Sequence, residues 1–258
     1  MARIEKYTSN FVTFELRHNS RESPRPPNNV DIDSLRSHLN YSLDSYGGSA
    51  VKCKQHYKKR ISEIYVYGNK QVNTLCQWVI TAPTDLNPEQ EKAFFQAAHD
   101  YCNVLYGIEN NIQSIVHYDE GVKDPRTNSV LAGRPHLHFC FIPAIENKKY
   151  MKPNRYGNIS GAALYKEKCC ANDLINKQHL LRWHDDFQKF LDNRGIKCTV
   201  RNGSTGGWNR SVAELKTKTK EKIISDLVRE NKNLKAQIID NEVQPSGWGK
   251  DLSWENEF

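Results

Sequence analysis

Two short apolar runs that share three histidines constrain this chain more than any other feature. One reads Ile-Gln-Ser-Ile-Val-His-Tyr-Asp-Glu and ends in His117, Asp119 and Glu120. The other reads Arg-Pro-His-Leu-His-Phe-Cys-Phe-Ile-Pro and carries His136 and His138. Residues i and i+2 of a strand leave the same face, so His136 and His138 project together while Leu137 points the other way. If the His117 run pairs alongside, three imidazoles converge. Three neutral imidazoles with open positions suit a divalent transition metal that also holds a substrate. A lone His-x-His describes many ordinary half-buried sheet faces. The third histidine, at the end of its own strand beside two carboxylates, turns the pattern towards a metal centre.

At 258 residues the chain can bury a full core in one or two domains. Mean hydropathy is -0.75, and the longest apolar runs, such as Trp78-Val79-Ile80 and Phe139 to Ile142, are strand-sized. No stretch approaches a membrane span. Met-Ala-Arg-Ile-Glu-Lys at the start lacks the apolar core of a secretory signal. Cys53, Cys76, Cys102, Cys140, Cys169, Cys170 and Cys198 are odd in number and form no Cys-x-x-Cys pair, so they read as free thiols of a cytoplasmic protein rather than a zinc knuckle. A net charge of +7 and a pI of about 8.9 favour a polyanionic partner, nucleic acid among the candidates.

Along the chain, residues 2–8 read as a strand, and Asn10 to Arg21 is ambiguous: Phe11, Phe14 and His18 fall at helical spacing, but the β-branched content also permits a strand. Residues 22–34 form a Pro/Asn-rich loop, and Lys52, Lys54, Lys58, Lys59 and Arg60 sit on a helix after the Gly47-Gly48 turn. Gln77 to Ala82, Ile112 to Tyr118, Pro135 to Pro143 and Ile196 to Val200 read as strands. Asn87-Pro88-Glu89-Gln90 starts a helix that stops at Gly107; a second, 178–194, turns Leu181, Phe187, Phe190 and Leu191 inward and stops at Gly195. Gly121 to Gly133 is a polar insertion between the histidine strands, and Arg201 to Trp208 a Gly-rich loop.

The expected fold is α+β: a central antiparallel sheet with flanking helices, drawn on one face, plus a long C-terminal helix. Ile224, Leu227, Asn231, Leu234 and Ile238 alternate by three and four, as in a coiled coil whose register a buried Asn sets, or in a solvated helix packed back on the domain. The domain reading is 1–211 for the main body, 212–242 for a helical segment that offers a homodimer contact, and 243–258 for an irregular tail.

The order of motifs resembles the Pre/Mob (MobV-type) plasmid mobilisation relaxases, within the HUH endonucleases. His18-Asn19-Ser20-Arg21 is similar to the family's His-x-x-Arg motif. Arg36-Ser37-His38-Leu39-Asn40-Tyr41 is similar to its Arg-Ser-His-Leu-Asn-Tyr motif. His117-Tyr118-Asp119-Glu120 with Pro135-His136-Leu137-His138 is similar to its metal motif, and Ser211 to Lys216 is a weaker match. The resemblance covers about residues 1–220. The chain departs from it at Gly121 to Arg134, where the family pattern has only a few residues. A loop between adjacent antiparallel strands lengthens at little entropic cost, so the site survives the insertion.

The resemblance implies nicking and rejoining of DNA at a plasmid or mobile-element origin of transfer, single-stranded at the nick, through a covalent protein–DNA intermediate. It implies a divalent ion, manganese or magnesium, on His117, His136 and His138. Either Glu120 or Asp119 completes the set: strand periodicity puts Asp119 on the His117 face, whereas the resemblance favours Glu120. It also implies that His18, rather than the Tyr41 that a tyrosine-dependent relative would use, attacks phosphorus. Arg21 at i+3 would share a helical face with His18 and hold a phosphate oxygen. Lys52, Lys54, Lys58, Lys59, Arg60, Arg155, Arg201 and Arg210 are candidate phosphate contacts, and Trp208 a base-stacking or core residue. The competing readings are a tyrosine-dependent rolling-circle replication initiator, a non-catalytic DNA-binding protein with a structural metal, and a three-His hydrolase or oxygenase acting on a small molecule.

Overall fold

The structure is a computed structural model that describes residues 2–22, 31–68, 71–123 and 130–200 and, beyond them, 217, 221 and 224–233. The chain divides into two compact units, Met1–Gly207 and Trp208–Phe258. In chain order the first unit contains β1 (Ala2–Thr8), α1 (Ser9–Asn19), a 3-10 turn (Ser34–Leu39), β2 (Tyr41–Ser42), α2 (Ala50–Glu63), β3 (Asn73–Thr81), α3 (Glu91–Tyr106) and β4 (Asn111–His117). There follow β5 (Gly121–Lys123), β6 (Val130–Ala132), β7 (His136–Phe141), β8 (Ala144–Glu146), β9 (Glu167–Cys169), α4 (Ala171–Leu174) and α5 (Lys177–Asp192). In the second unit 224–233 is helical, with Ile224 and Val228 exposed. Leu234, Ile238 and the tail lie outside the described residues, as do Arg201, Trp208 and Arg210. No helix among the described residues is long and apolar enough to cross a membrane.

The main sheet runs β1-β3-β7-β4-β2 with every neighbouring pair antiparallel. The two histidine strands are therefore adjacent, with His117 opposite His136. Helices cover both faces rather than the single face expected, because β3, β4 and β7 carry buried side chains on both sides. Under α3 and α5 lies an aromatic core in which Trp78 stacks on Trp183 at 4.3 Å and Tyr106 on Phe141 at 4.0 Å, with Phe139, Leu137 and Val116 around them. Under α1 and α2 lies a smaller cluster of Val12, Leu16, Cys53, Tyr57, Leu75, Ile112 and Cys140.

The ambiguous amino-terminal segment is helix. Val12, Glu15, Leu16 and Asn19 recur at helical period and are buried. The Phe11, Phe14 and His18 stripe faces outward, with Phe11 59% and Phe14 69% exposed. The capped helix is as expected: Asn87 Oδ1 accepts from Glu89 N–H, and Gly107 ends α3 at φ 86°.

Three expectations fail for identifiable reasons. The polar insertion is not a plain loop, because β5 and β6 pair as a hairpin. In α5 the inward side chains are Trp183, Phe187 and Leu191, whereas Leu181 is 64% exposed. Ile196 to Val200 is not a strand. The N–H groups of Lys197, Thr199 and Val200 donate to the side chains of Gln90, Asp85 and Gln188, so the segment has no ladder to join.

Candidate metal centre

On β7 the period of two sends His136, His138 and Cys140 towards α1 while Leu137, Phe139 and Phe141 enter the aromatic core. Cross-strand pairing with β4 then brings His117 beside His136, and the ring centroids lie 5.5 Å (His117–His136), 4.6 Å (His117–His138) and 4.9 Å (His136–His138) apart. β4 ends at His117, and the backbone turns. That turn decides between the two carboxylates. Glu120 swings over the imidazoles, with Oε2 3.4 Å from His136 Nε2 and Oε1 3.7 Å from His117 Nδ1. Asp119 turns aside to Arg21 and Ser37.

The position of Glu120 is fixed by its backbone, which forms a bridge with Ile32 and accepts from Gly133 N–H at 2.8 Å. A Cβ at Gly133 would stand 2.6 Å from the Glu120 carbonyl oxygen, so this closure of the hairpin requires glycine. The insertion therefore braces Glu120.

The hydrogen bonds assign the tautomers. His117 Nε2 lies 2.7 Å from the Asn19 carbonyl oxygen, which only accepts, so Nε2 carries the proton and Nδ1 the lone pair. His136 Nδ1 lies 3.2 Å from the Arg134 carbonyl and is likewise the donor, leaving Nε2 free towards Glu120. His138 is buried, and neither ring nitrogen has a hydrogen-bond partner. Burial, reinforced by the neighbouring His117 and His136, holds it well below the ordinary histidine value, so it is neutral. Burial also lowers His117. Glu120 accepts from Arg21 Nη2 at 2.9 Å, a charge-assisted bond that favours its ionised form.

Three imidazoles and one carboxylate thus present one ligand atom each, all within 4.8 Å of one another. Two ligands on opposite sides of an ion stand about 4.2 Å apart at bonds of about 2.1 Å. One of the two buried, unpartnered nitrogens of His138 is what such an ion would satisfy. The donor set fits a divalent metal.

His18 completes the cleft from the end of α1. Its Nε2 is 3.8 Å from Glu120 Oε1 and its side chain is partly exposed. Arg21 does not share a helical face with His18, because α1 ends at Asn19 and Arg21 adopts φ 57°. From that turn its guanidinium donates through Nε and Nη2 to Asp119, through Nη2 also to Glu120 and His117 Nδ1, and through Nη1 to the His18 carbonyl. All three nitrogens are engaged within the protein. Burial raises Asp119, but the hydrogen bonds from Arg21 and Ser37 prevail and hold it down at about 2.

Tyr41 is not in the cleft. It pairs with Val116 on β4, and cross-strand partners share a face, so it lies on the aromatic-core side while His117 lies on the other. Burial, with Glu91 nearby, pushes its hydroxyl up to about 12. Arg60 is also a correction. It is buried, donating to Asn110 at 2.8 Å and to Glu167 at 2.6 Å, and is not available to a phosphate. Lys52, Lys54, Lys58 and Lys59 remain on the outer side of α2, and Arg155 stands over the Tyr156 ring at 4.6 Å in an exposed loop.

Three contributors escaped the sequence reading. The Asn19 carbonyl sets the His117 tautomer, Ser37 Oγ donates to Asp119 at 2.6 Å, and Asn40 Oδ1 accepts from Tyr118 N–H at 2.7 Å. All three belong to the His18 to Arg21 and Arg36 to Tyr41 motifs, and that membership was the available signal.

Comparison with known proteins gives a consistent picture. The sequence profile of the family described as "Plasmid recombination enzyme" (Mob_Pre) matches residues 1–206. A plasmid recombination enzyme of Streptococcus agalactiae is 27% identical over 228 residues, covering 84% of this chain and 38% of that protein. One of Bacillus thuringiensis is 24% identical over 207 residues, covering 78% and 39%. The chain therefore spans about two fifths of the length of these relatives. Among solved structures, the Mn-bound MobM relaxase domain with plasmid pMV158 oriT DNA superposes with a TM-score of 0.62 at 23% identity, covering 84% of this chain and 97% of that one. The likeness extends to the α+β fold.

Proposed function

The chain belongs to the plasmid recombination enzyme family, and from that membership we propose that it is a relaxase, a metal-dependent enzyme that nicks and rejoins one DNA strand at an origin of transfer. The observation that carries this reading is the position of His18, 3.8 Å from the one carboxylate of a three-histidine cluster in which buried His138 has unpartnered ring nitrogens. Mn-bound relaxase domains holding oriT DNA have the same fold, which supports both the ion and the substrate class.

His117, His136, His138 and Glu120 would hold the divalent ion, manganese or magnesium. When bound, the ion supplies a positive charge that polarises the scissile phosphate and offsets charge on its oxygens. His18 is the nucleophile. A ring nitrogen of neutral His18 attacks phosphorus, a P–N bond forms, and the P–O3′ bond breaks; the ring, cationic once phosphorylated, releases its remaining N–H proton, and the departing 3′ oxygen takes up one proton to become a hydroxyl. The strand is then held through its 5′ phosphate, and a 3′ hydroxyl attacking the phosphoramidate reverses the step. Glu120 Oε1 faces His18 Nε2 and orients the ring. Arg21 acts as a positioning residue, tying Asp119, Glu120 and the His18 carbonyl together. Tyr41 takes no chemical part, which removes the candidate nucleophile of the replication-initiator reading.

Origin DNA, single-stranded at the nick, is the proposed partner. Lys52, Lys54, Lys58, Lys59 and Arg155 are candidate phosphate contacts, and Arg201, Arg210 and Trp208 stay candidates from sequence. On this reading residues 1–211 are the nuclease domain, two copies would pair through 212–242, of which 224–233 is described as helix, and the site of action is the cytoplasm. The test uses single-stranded oligonucleotides tiled across the DNA flanking the chain's own coding sequence, with Mn2+, resolved on a denaturing gel. A covalent adduct that is lost in His18→Ala, kept in Tyr41→Phe and hydrolysed by mild acid supports the reading. An acid-stable adduct, or none with any oligonucleotide, overturns it.

A further inference from the structure

On the basis of the relaxase reading, we propose that the outer face of α1 and the groove between α1 and α2 form the track on which the single strand lies as it reaches His18. Bases stack on Phe11 and Phe14, and phosphates pass Arg17, Lys54 and Lys58. Phe11 and Phe14 are 59% and 69% exposed, while α1 buries Val12, Glu15, Leu16 and Asn19 instead. Two phenylalanines mostly exposed to water on a helix that already has an apolar face contribute little to its packing.

Their place is specific. Phe14 lies four residues and Phe11 seven residues before His18, positions that share one helical face. At 1.5 Å of rise per residue they stand about 6 Å and about 10 Å along the axis from His18. With bases spaced about 3.4 Å apart along a stacked strand, the rings address bases within about three nucleotides of the scissile phosphate.

The charge around them matches a polyanion. On the flank of α1 that meets α2, with Arg17 three residues after Phe14, runs a groove of about 240 Å³ lined by Thr13 and Arg17 from α1 and by Val51, Lys54, Gln55 and Lys58 from α2. None of the residues lining it is acidic, and the one acid of α1, Glu15, is buried. Aromatic platforms interleaved with cations are the composition of a single-strand path, since bases offer π faces and the backbone offers charge. A duplex would hide those faces. A second copy docked by two-fold symmetry on this patch would set Arg17, Lys54 and Lys58 against a similar positive patch, which disfavours self-association there.

The experiment measures fluorescein-labelled oligothymidylate binding to the full chain by anisotropy, with Mn2+ affinity and adduct formation followed in parallel. Phe11→Ser with Phe14→Ser is expected to weaken binding by about tenfold for each ring lost, with Mn2+ affinity unchanged. Phe14→Trp is expected to keep wild-type binding and to add to the fluorescence of the five native tryptophans a component quenched by the strand. Lys54→Ala and Lys58→Ala are each expected to lower the salt dependence by about one counterion. Serine variants that bind as tightly as wild type while wild type still forms the adduct would overturn the track alone. A wild-type chain that neither binds the strand nor forms the adduct would overturn the relaxase reading and the track with it. Serine variants that convert a dimer to a monomer would assign the face to a second copy instead.

Discussion

The two faces of β7 differ sharply in chemistry, although they come from the same six residues. Towards α1 the strand presents His136, His138 and Cys140, and the first two enter the candidate metal centre. Towards α3 it presents Leu137, Phe139 and Phe141, all buried in the aromatic core. A period of two keeps ligand chemistry and fold stability on the same backbone yet physically separate. The rigid core fixes the strand, and the strand fixes the imidazoles. Alternate residues should therefore respond to substitution in opposite ways.

The largest separation is expected from His138→Ala. Losing a ligand removes several kcal/mol of transition-state stabilisation, so adduct formation should fall by about a thousandfold. The variant should also lose the stabilisation of about 2.7 kcal/mol that wild type gains at a hundredfold excess of Mn2+ over Kd, read as the Mn2+-dependent shift in Tm. Chelation of wild type with EDTA should reproduce both effects. A variant that keeps its Mn2+ shift would break the assignment of this face.

The mirror experiment is Phe139→Ala, one residue away. It should cost about 3–5 kcal/mol of stability, read from urea midpoints, because the cavity lies among Tyr106, Phe141 and His99. Mn2+ affinity of the folded fraction should not move. A joint loss would mean that the two faces are coupled.

A smaller effect tests the turn after His117. Asp119 is held at about 2 against an ordinary value of 3.8. Because its folded value is depressed, it contributes stability above about pH 4, and this is lost as pH falls towards 2. The contribution is about 2 kcal/mol, so urea midpoints of wild type and Asp119→Asn should differ near neutral pH and converge in acid. Curves that stay parallel to pH 2 would show that the Arg21–Asp119 pair does not carry the turn. The smallest effect is expected of Tyr41→Phe. On the core side of the sheet, it should leave adduct formation within about twofold of wild type, since no transition-state contact is removed. A large loss would place chemistry on the wrong face.

The histidine pattern was legible because it is local: i and i+2 on a strand need no knowledge of the rest of the chain. The capped start of α3 and its glycine stop were legible for the same reason. Where the reading failed, a partner distant in sequence was responsible. Ile196 to Val200 has strand composition, but Asp85, Gln90 and Gln188 take its N–H groups. Leu181 has the character of a core residue, but α5 is rotated so that Trp183 meets Trp78. Arg60 stands among candidate DNA contacts in sequence and is spent on Asn110 and Glu167 in space.

The sequence alone determined the donor types, the two strands that carry three of them and the motif that brings His18 into question, because residue identity and strand periodicity are properties of short segments. Only the tertiary structure decided between the paired alternatives. Glu120 rather than Asp119 meets the imidazoles because β4 ends at His117 and Gly133 closes on the Glu120 backbone. His18 rather than Tyr41 faces them because α1 and β2 deliver their side chains to opposite sides of one sheet. Periodicity says which residues share a face, but which face receives the helix, the turn and the neighbouring strand depends on contacts nearly a hundred residues apart, such as Arg21 with Asp119.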